Sequence, residues 1–102
     1  MSQPTVSEFL REKMMNMARW IHTEVTDSEV NLEHFVETRS NAELVYLAEC
    51  IKEADPKSFS DIYSISEAPD KFKRVIMFVE EKPDMHDKFW RYVDLFVKTI
   101  SN

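Results

Sequence analysis

The chain has 102 residues, a net charge of −6, one cysteine and no glycine, with 43% apolar and 31% charged residues. That length predicts one domain, residues 1–102, on a single core, and the composition is that of an ordinary globule, which excludes a disordered chain. The missing glycine excludes more: hairpin-rich β folds lose their usual φ > 0 residue, and Walker A, GxGxxG and GxSxG turns cannot be built.

The first helix opens on Thr5-Val6-Ser7-Glu8, a capping-box pattern, and is predicted to run to Val25. Its apolar face collects Val6, Phe9, Leu10, Met14, Met17, Ala18, Trp20, Ile21 and Val25, while Met15 points away. Thr26-Asp27-Ser28-Glu29 repeats the capping pattern before a short second helix that carries Val30, Leu32, Phe35 and Val36 and ends near Arg39. Ser40-Asn41-Ala42-Glu43 caps a third helix to Ala54, which buries Leu44, Leu47, Ala48 and Ile51 with Cys50 at the edge. Pro56 stops it and drives Asp55 out of helical angles.

Residues 56–66 hold Phe59, Ile62, Tyr63 and Ile65 among four serines and read as a short helix or an irregular turn. Pro69 suits the first turn of a fourth helix to Lys82, buried through Phe72, Val75, Ile76 and Val79, with Met77 off that face and Phe78 at its edge. Pro83 ends it, and Asp84 is expected to cap the final helix to Ile100. On a wheel Met85, Phe89, Trp90, Tyr92, Val93, Leu95, Phe96, Val97 and Ile100 span an apolar arc of roughly 220°, so this helix needs neighbours on two sides. The expected fold is all-α: a compact bundle of about five helices, three long and two short, around the aromatic-rich C-terminal one. Trp90 and Val97, at the far edge of that helix, either pack on the first helix or form a self-complementary patch for a homodimer.

Cys50 alone makes neither an intramolecular disulfide nor a Cys-based zinc site, which points to a reducing compartment. The N-terminal MSQPTVSEF has no basic or apolar signal region, and the longest apolar run, Val75 to Val79, is far too short to cross a bilayer. The expected location is cytoplasmic, with no membrane partner.

Chemistry-bearing motifs are scarce. His22, His34 and His86 lack Glu or Asp at i−3, and no HExxH occurs, so neither a metal nor a cofactor is expected. Glu49 and Glu53 beside Cys50 disfavour a reactive thiolate. An enzyme is therefore not the expected reading. Lys71, Lys73 and Arg74 form a short basic cluster that a nucleic-acid-binding regulator would use, but no recognition helix follows.

The acidic residues are the stronger signal. Between Glu24 and Asp55 nine acids face Arg39 and Lys52, a local balance of −7. Glu29, Glu33 and Glu37 recur every four residues, as do Glu49 and Glu53, and like charges at that spacing destabilise a helix by roughly 0.2 to 0.5 kcal/mol per pair. Stability does not require them. The expected function is a small non-catalytic binding module that presents Glu29, Glu33, Glu37, Glu43, Tyr46, Glu49 and Glu53 to a basic protein surface. Such a surface includes a nucleic-acid-binding protein, for which the acidic track would imitate nucleic acid. Inhibitors, antitoxin or immunity proteins, phage-type host modulators and adaptors supply the class-level analogy. Direct nucleic-acid binding is not expected of so acidic a surface.

Overall fold

The computed structural model describes residues 6–24 and 32–101. Among these residues six α-helices follow one another: α1 (Val6–Glu24), α2 (Leu32–Thr38), α3 (Asn41–Ala54), α4 (Phe59–Tyr63), α5 (Asp70–Glu80) and α6 (His86–Ser101), with a 3-10 turn, Pro83–Met85, leading into α6. No strand occurs among the described residues, and no helix there is long and apolar enough to cross a membrane.

The apolar periodicities become one core. Leu10, Met14, Met17 and Ile21 of α1 meet Phe35 and Val36 of α2, Leu44 and Ile51 of α3, Val75 and Ile76 of α5, and Phe89 and Phe96 of α6 in a single buried cluster. Among the described residues no polar or charged side chain is buried, so this core rests on apolar burial and packing. Phe89 and Phe96 are fully buried, and each such side chain is stabilised by about 1.5 to 3 kcal/mol relative to solvent exposure.

The final helix does touch neighbours on several sides, packing on α1, α3 and α5, but α1 shares its central place by packing on α2, α3 and α6. The apolar arc of α6 is narrower than the wheel suggests. Leu95 is 40% exposed, and Tyr92 and Trp90 on the two flanks are half-buried. Val6 and Phe9 of α1 are likewise 44% and 45% exposed, although both lie on the predicted apolar face. A wheel records which side of a helix is apolar, whereas burial also requires a partner that reaches that far along the axis. Met15 shows the converse: read as pointing away, it is half-buried against the core.

Local signals explain most of the boundaries. Ser40 and Glu43 form the reciprocal capping box of α3, the Ser40 hydroxyl accepting from the Glu43 N–H and the Glu43 carboxylate accepting from the Ser40 N–H. Asp55 closes α3 in the left-handed region, φ 44° and ψ 57°, and donates its N–H to the Ile51 carbonyl at 3.1 Å. Elsewhere glycine usually takes that position, and Asp tolerates it better than most residues with a Cβ. Ser58 and Asp61 cap α4 in the same way, which makes the serine-rich stretch a defined helical turn.

Two expected starts shift. Pro69 is the extended N-cap of α5, not a residue of its first turn. Asp84 lies inside the 3-10 turn, because Pro83 occupies its first position and α6 begins three residues after that proline, at His86. The expected caps at Thr5 and at Thr26–Glu29 lie outside the described residues, as do Val25 and Val30.

The Trp90 ring lies 5.3 Å from Phe59 of α4 and 5.5 Å from Phe89. The aromatic side chain on the α1 side is Tyr92, stacked on Trp20 at 5.5 Å, with the Lys88 ammonium 5.2 Å from the Trp20 ring.

Candidate functional site

α3 is the element that carries the site. Its buried stripe, Leu44, Leu47, Ala48 and Ile51, fixes the rotation of the helix, and the 3.6-residue period then places Tyr46, Glu49, Cys50 and Glu53 together along one outer flank. Opposite this flank runs the chain from α4 to the start of α5, anchored by buried Ile62, Ile65 and Ala68. Between them lies an open hollow of about 500 Å³ whose walls include Tyr46, Glu49, Cys50, Glu53, Asp61, Ser64 and Glu67.

Four carboxylates and no cation line this hollow. Asp61 is engaged as a cap, accepting from the Lys57 N–H at 2.8 Å and the Ser58 N–H at 3.2 Å. No ion pair among the described residues engages Glu49, Glu53 or Glu67. The titratable groups between them register the field. Burial pushes the Cys50 thiol up, the Glu67, Glu53 and Glu49 carboxylates push it further, and the Tyr46 hydroxyl works the other way by hydrogen-bonding the sulfur. The Tyr46 phenol is also raised, first by that hydrogen bond, then by negative charge on Cys50, by burial, and by Glu67 and Glu53. A thiol in this setting stays protonated at neutral pH and is a poor nucleophile.

A second hollow, of about 400 Å³, continues the groove toward the N-terminus of α3. Its walls are Phe35, Arg39, Ala42, Glu43, Tyr46, Leu47, Glu67 and Pro69, so Tyr46 and Glu67 stand at the junction of the two. Tyr46 is 55% exposed there. The charged pair in this stretch is mutually engaged: Arg39 Nη1 lies 3.4 Å from Glu43 Oε2, and the Arg39 guanidinium sits 4.7 Å from the centre of the Phe35 ring. Glu43 is held below its ordinary value chiefly by the Ser40 N–H and hydroxyl, and then by Arg39.

Of the expected site residues, the structure gathers Glu43, Tyr46, Glu49 and Glu53 along one groove, with Glu43 doubling as part of the α3 cap. Glu33 and Glu37 lie one turn apart on α2 and line neither hollow, and Glu29 lies outside the described residues. Sequence reasoning missed Asp61, Glu67, Phe35 and Pro69. For Asp61 a signal existed in the Ser58-x-x-Asp61 capping spacing, whereas Glu67 sits in a turn with no periodicity to place it.

A further contact missed in the sequence holds the groove in position. Arg11 of α1 donates to the carbonyls of Val36 and Arg39 at the end of α2, and to Asn41 Oδ1 at 2.9 Å. One guanidinium thus ties the end of α2 to the start of α3, satisfying carbonyls that a helix C-terminus leaves open.

The basic residues of α5 do not converge. Lys71 and Lys73 fall on opposite flanks of the buried Phe72, Val75, Ile76 and Val79 stripe, roughly 160° apart around the helix, and Arg74 points between them to solvent. Among the described residues no group of three or more His, Cys, Asp or Glu is arranged to hold a metal ion.

No family model matches this chain, and the searches of curated proteins and of solved structures returned no match.

Proposed function

We propose that this protein is a non-catalytic binding module that docks a basic protein partner in the groove along α3. The observation that carries the reading is the hollow walled by Glu49, Glu53, Asp61 and Glu67 with no cation among its lining residues. Uncompensated carboxylates around a concave surface focus a negative field, which steers cationic partners and raises association rates. Tyr46 adds a half-exposed ring at the centre, the residue type enriched where interfaces need contact area with a polar tip. Relative to the sequence expectation, the binding face moves from the outer surfaces of the second and third helices to α3 and the turn that carries Glu67.

The test compares partner capture from the native host at low and high salt by the wild type, by Glu49→Gln/Glu53→Gln/Glu67→Gln, and by Glu33→Gln/Glu37→Gln. The groove variant should lose its partner mainly through a slower association rate, and the wild-type interaction should weaken with salt, whose Debye length is about 8 Å at physiological strength. The α2 variant should bind as the wild type does. Equal capture of the same partner by all three proteins at both salt concentrations sinks the proposal.

A further inference from the structure

Resting on that docking reading, we infer that the groove takes one face of a basic amphipathic helix, seating an apolar side chain in one hollow and an Arg or Lys in the other. The hollow beside Phe35, Ala42, Leu47 and Pro69 is mainly apolar: its one cation, Arg39, is already paired with Glu43, and Glu67 stands at its junction with the other hollow. The adjoining hollow holds the four carboxylates, so charge complementarity assigns it the partner's cation. Tyr46 borders both and separates an apolar anchor from a charged one.

Spacing and secondary structure narrow the occupant. On α3 the first hollow is lined by residues 42 to 47 and the second by residues 46 to 54, so their centres lie about five to six residues apart, roughly 8 Å along the axis. On a partner helix lying along α3, side chains that share a face are about 6 Å apart at i and i+4 and about 10.5 Å apart at i and i+7, and the wider pair leaves room for Tyr46 between the two anchors. An extended peptide is the poorer occupant. With no strand among the described residues it finds no sheet edge to pair with, whereas a helix satisfies its own backbone.

The experiment uses fluorescently labelled helical peptides in an Ala/Gln background and measures anisotropy with the full-length protein. One peptide carries Leu and Arg about seven residues apart, a second has the same composition with the spacing cut to about five, which turns Arg to the other side, and a third replaces Leu by Ser. The matched peptide should bind at least about tenfold more tightly than the other two. Ala42→Gln, which crowds the apolar hollow from an exposed position, should abolish that advantage without weakening the Ser peptide. Glu49→Gln/Glu53→Gln/Glu67→Gln should weaken all three. If the three peptides bind equally and all depend on the carboxylates, the two-anchor inference is overturned while the docking of basic partners stands. Binding by none of them, or binding indifferent to the carboxylate variant, overturns both. Circular dichroism of each variant confirms that its helices are intact.

Discussion

The last two turns of α3 have a hollow on either side, and the two differ in how charge is handled. On one side lie Glu49, Glu53, Asp61 and Glu67 without a lining cation. On the other, a smaller hollow of about 230 Å³ against α6 is lined by Lys52, Lys57, Asp55 and Asp94 with Trp90, Val93 and Val97. There the charges balance: Lys57 Nζ lies 2.9 Å from Asp55, and Asp94 is paired with Lys98 at 2.8 Å. Both flanks belong to one helix in one acidic chain, so composition does not account for the difference. The same chain compensates charge on one side of α3 and leaves it open on the other, and that asymmetry is the reason to read the open side as a binding face.

The comparison assumes a rigid core behind both flanks, and removing that core should have the largest effect. Phe89→Ala or Phe96→Ala should cost about 3 to 5 kcal/mol, because each deletes a fully buried ring. Denaturant melts will measure it, and a loss below about 1 kcal/mol would assign α6 a peripheral place. Next in size is Arg11→Ala, which leaves the Val36 and Arg39 carbonyls without their charged donor and should cost about 1.5 to 3 kcal/mol. It should also loosen the wall formed by Phe35 and Arg39, so amide exchange should rise at the end of α2 before it rises in α6.

Ser40→Ala removes the α3 cap and should cost about 1 kcal/mol. The cap also links stability to pH. Folding depresses the Glu43 carboxyl, so its contribution is present at neutral pH and is lost as pH falls from the ordinary value of 4.5 through the lower folded value. Ser40→Ala should flatten that part of the acid-stability curve, and an unchanged curve would mean that the cap carries no charge linkage.

The smallest effect reads the open flank directly. Cys50 is the one thiol in the chain, and the neighbouring carboxylates help to raise it. Glu49→Gln/Glu53→Gln/Glu67→Gln should therefore lower the thiol's titration midpoint and speed its alkylation at neutral pH by about threefold, more at low salt than at high. The parallel change on the balanced flank, Asp94→Asn, should leave the rate where it was. If the two variants behave alike, the asymmetry around α3 is not electrostatic.

The buried face of α5 and the Ser40–Glu43 cap were legible in the sequence because each is a local pattern, a 3.6-residue period in one case and a three-residue spacing in the other. Tyr46, Glu49 and Glu53 were legible as one flank of a helix for the same reason. Asp61 and Glu67 complete the hollow from a segment whose position is set by burial of Ile62, Ile65 and Ala68 against distant helices, and no local period encodes that. Arg11 reaches partners 25 to 30 residues away, beyond any helical repeat. Leu95 and Phe9 failed in the opposite direction, since an apolar side chain carries no mark of whether a neighbour will cover it.

The two tryptophans occupy separate seams, Trp20 stacked on Tyr92 between α1 and α6, and Trp90 against Phe59 and Phe89 where α4 meets α6. Each is thus a built-in optical probe of a different joint. Trp90→Phe leaves an emission signal that reports the α1–α6 seam alone, and Trp20→Phe leaves one that reports α4, beside the segment that walls the acidic hollow. Quenching of Trp90 by a neutral, water-soluble quencher then reports solvent access to the α4–α6 seam, readable without label, ligand or crystal.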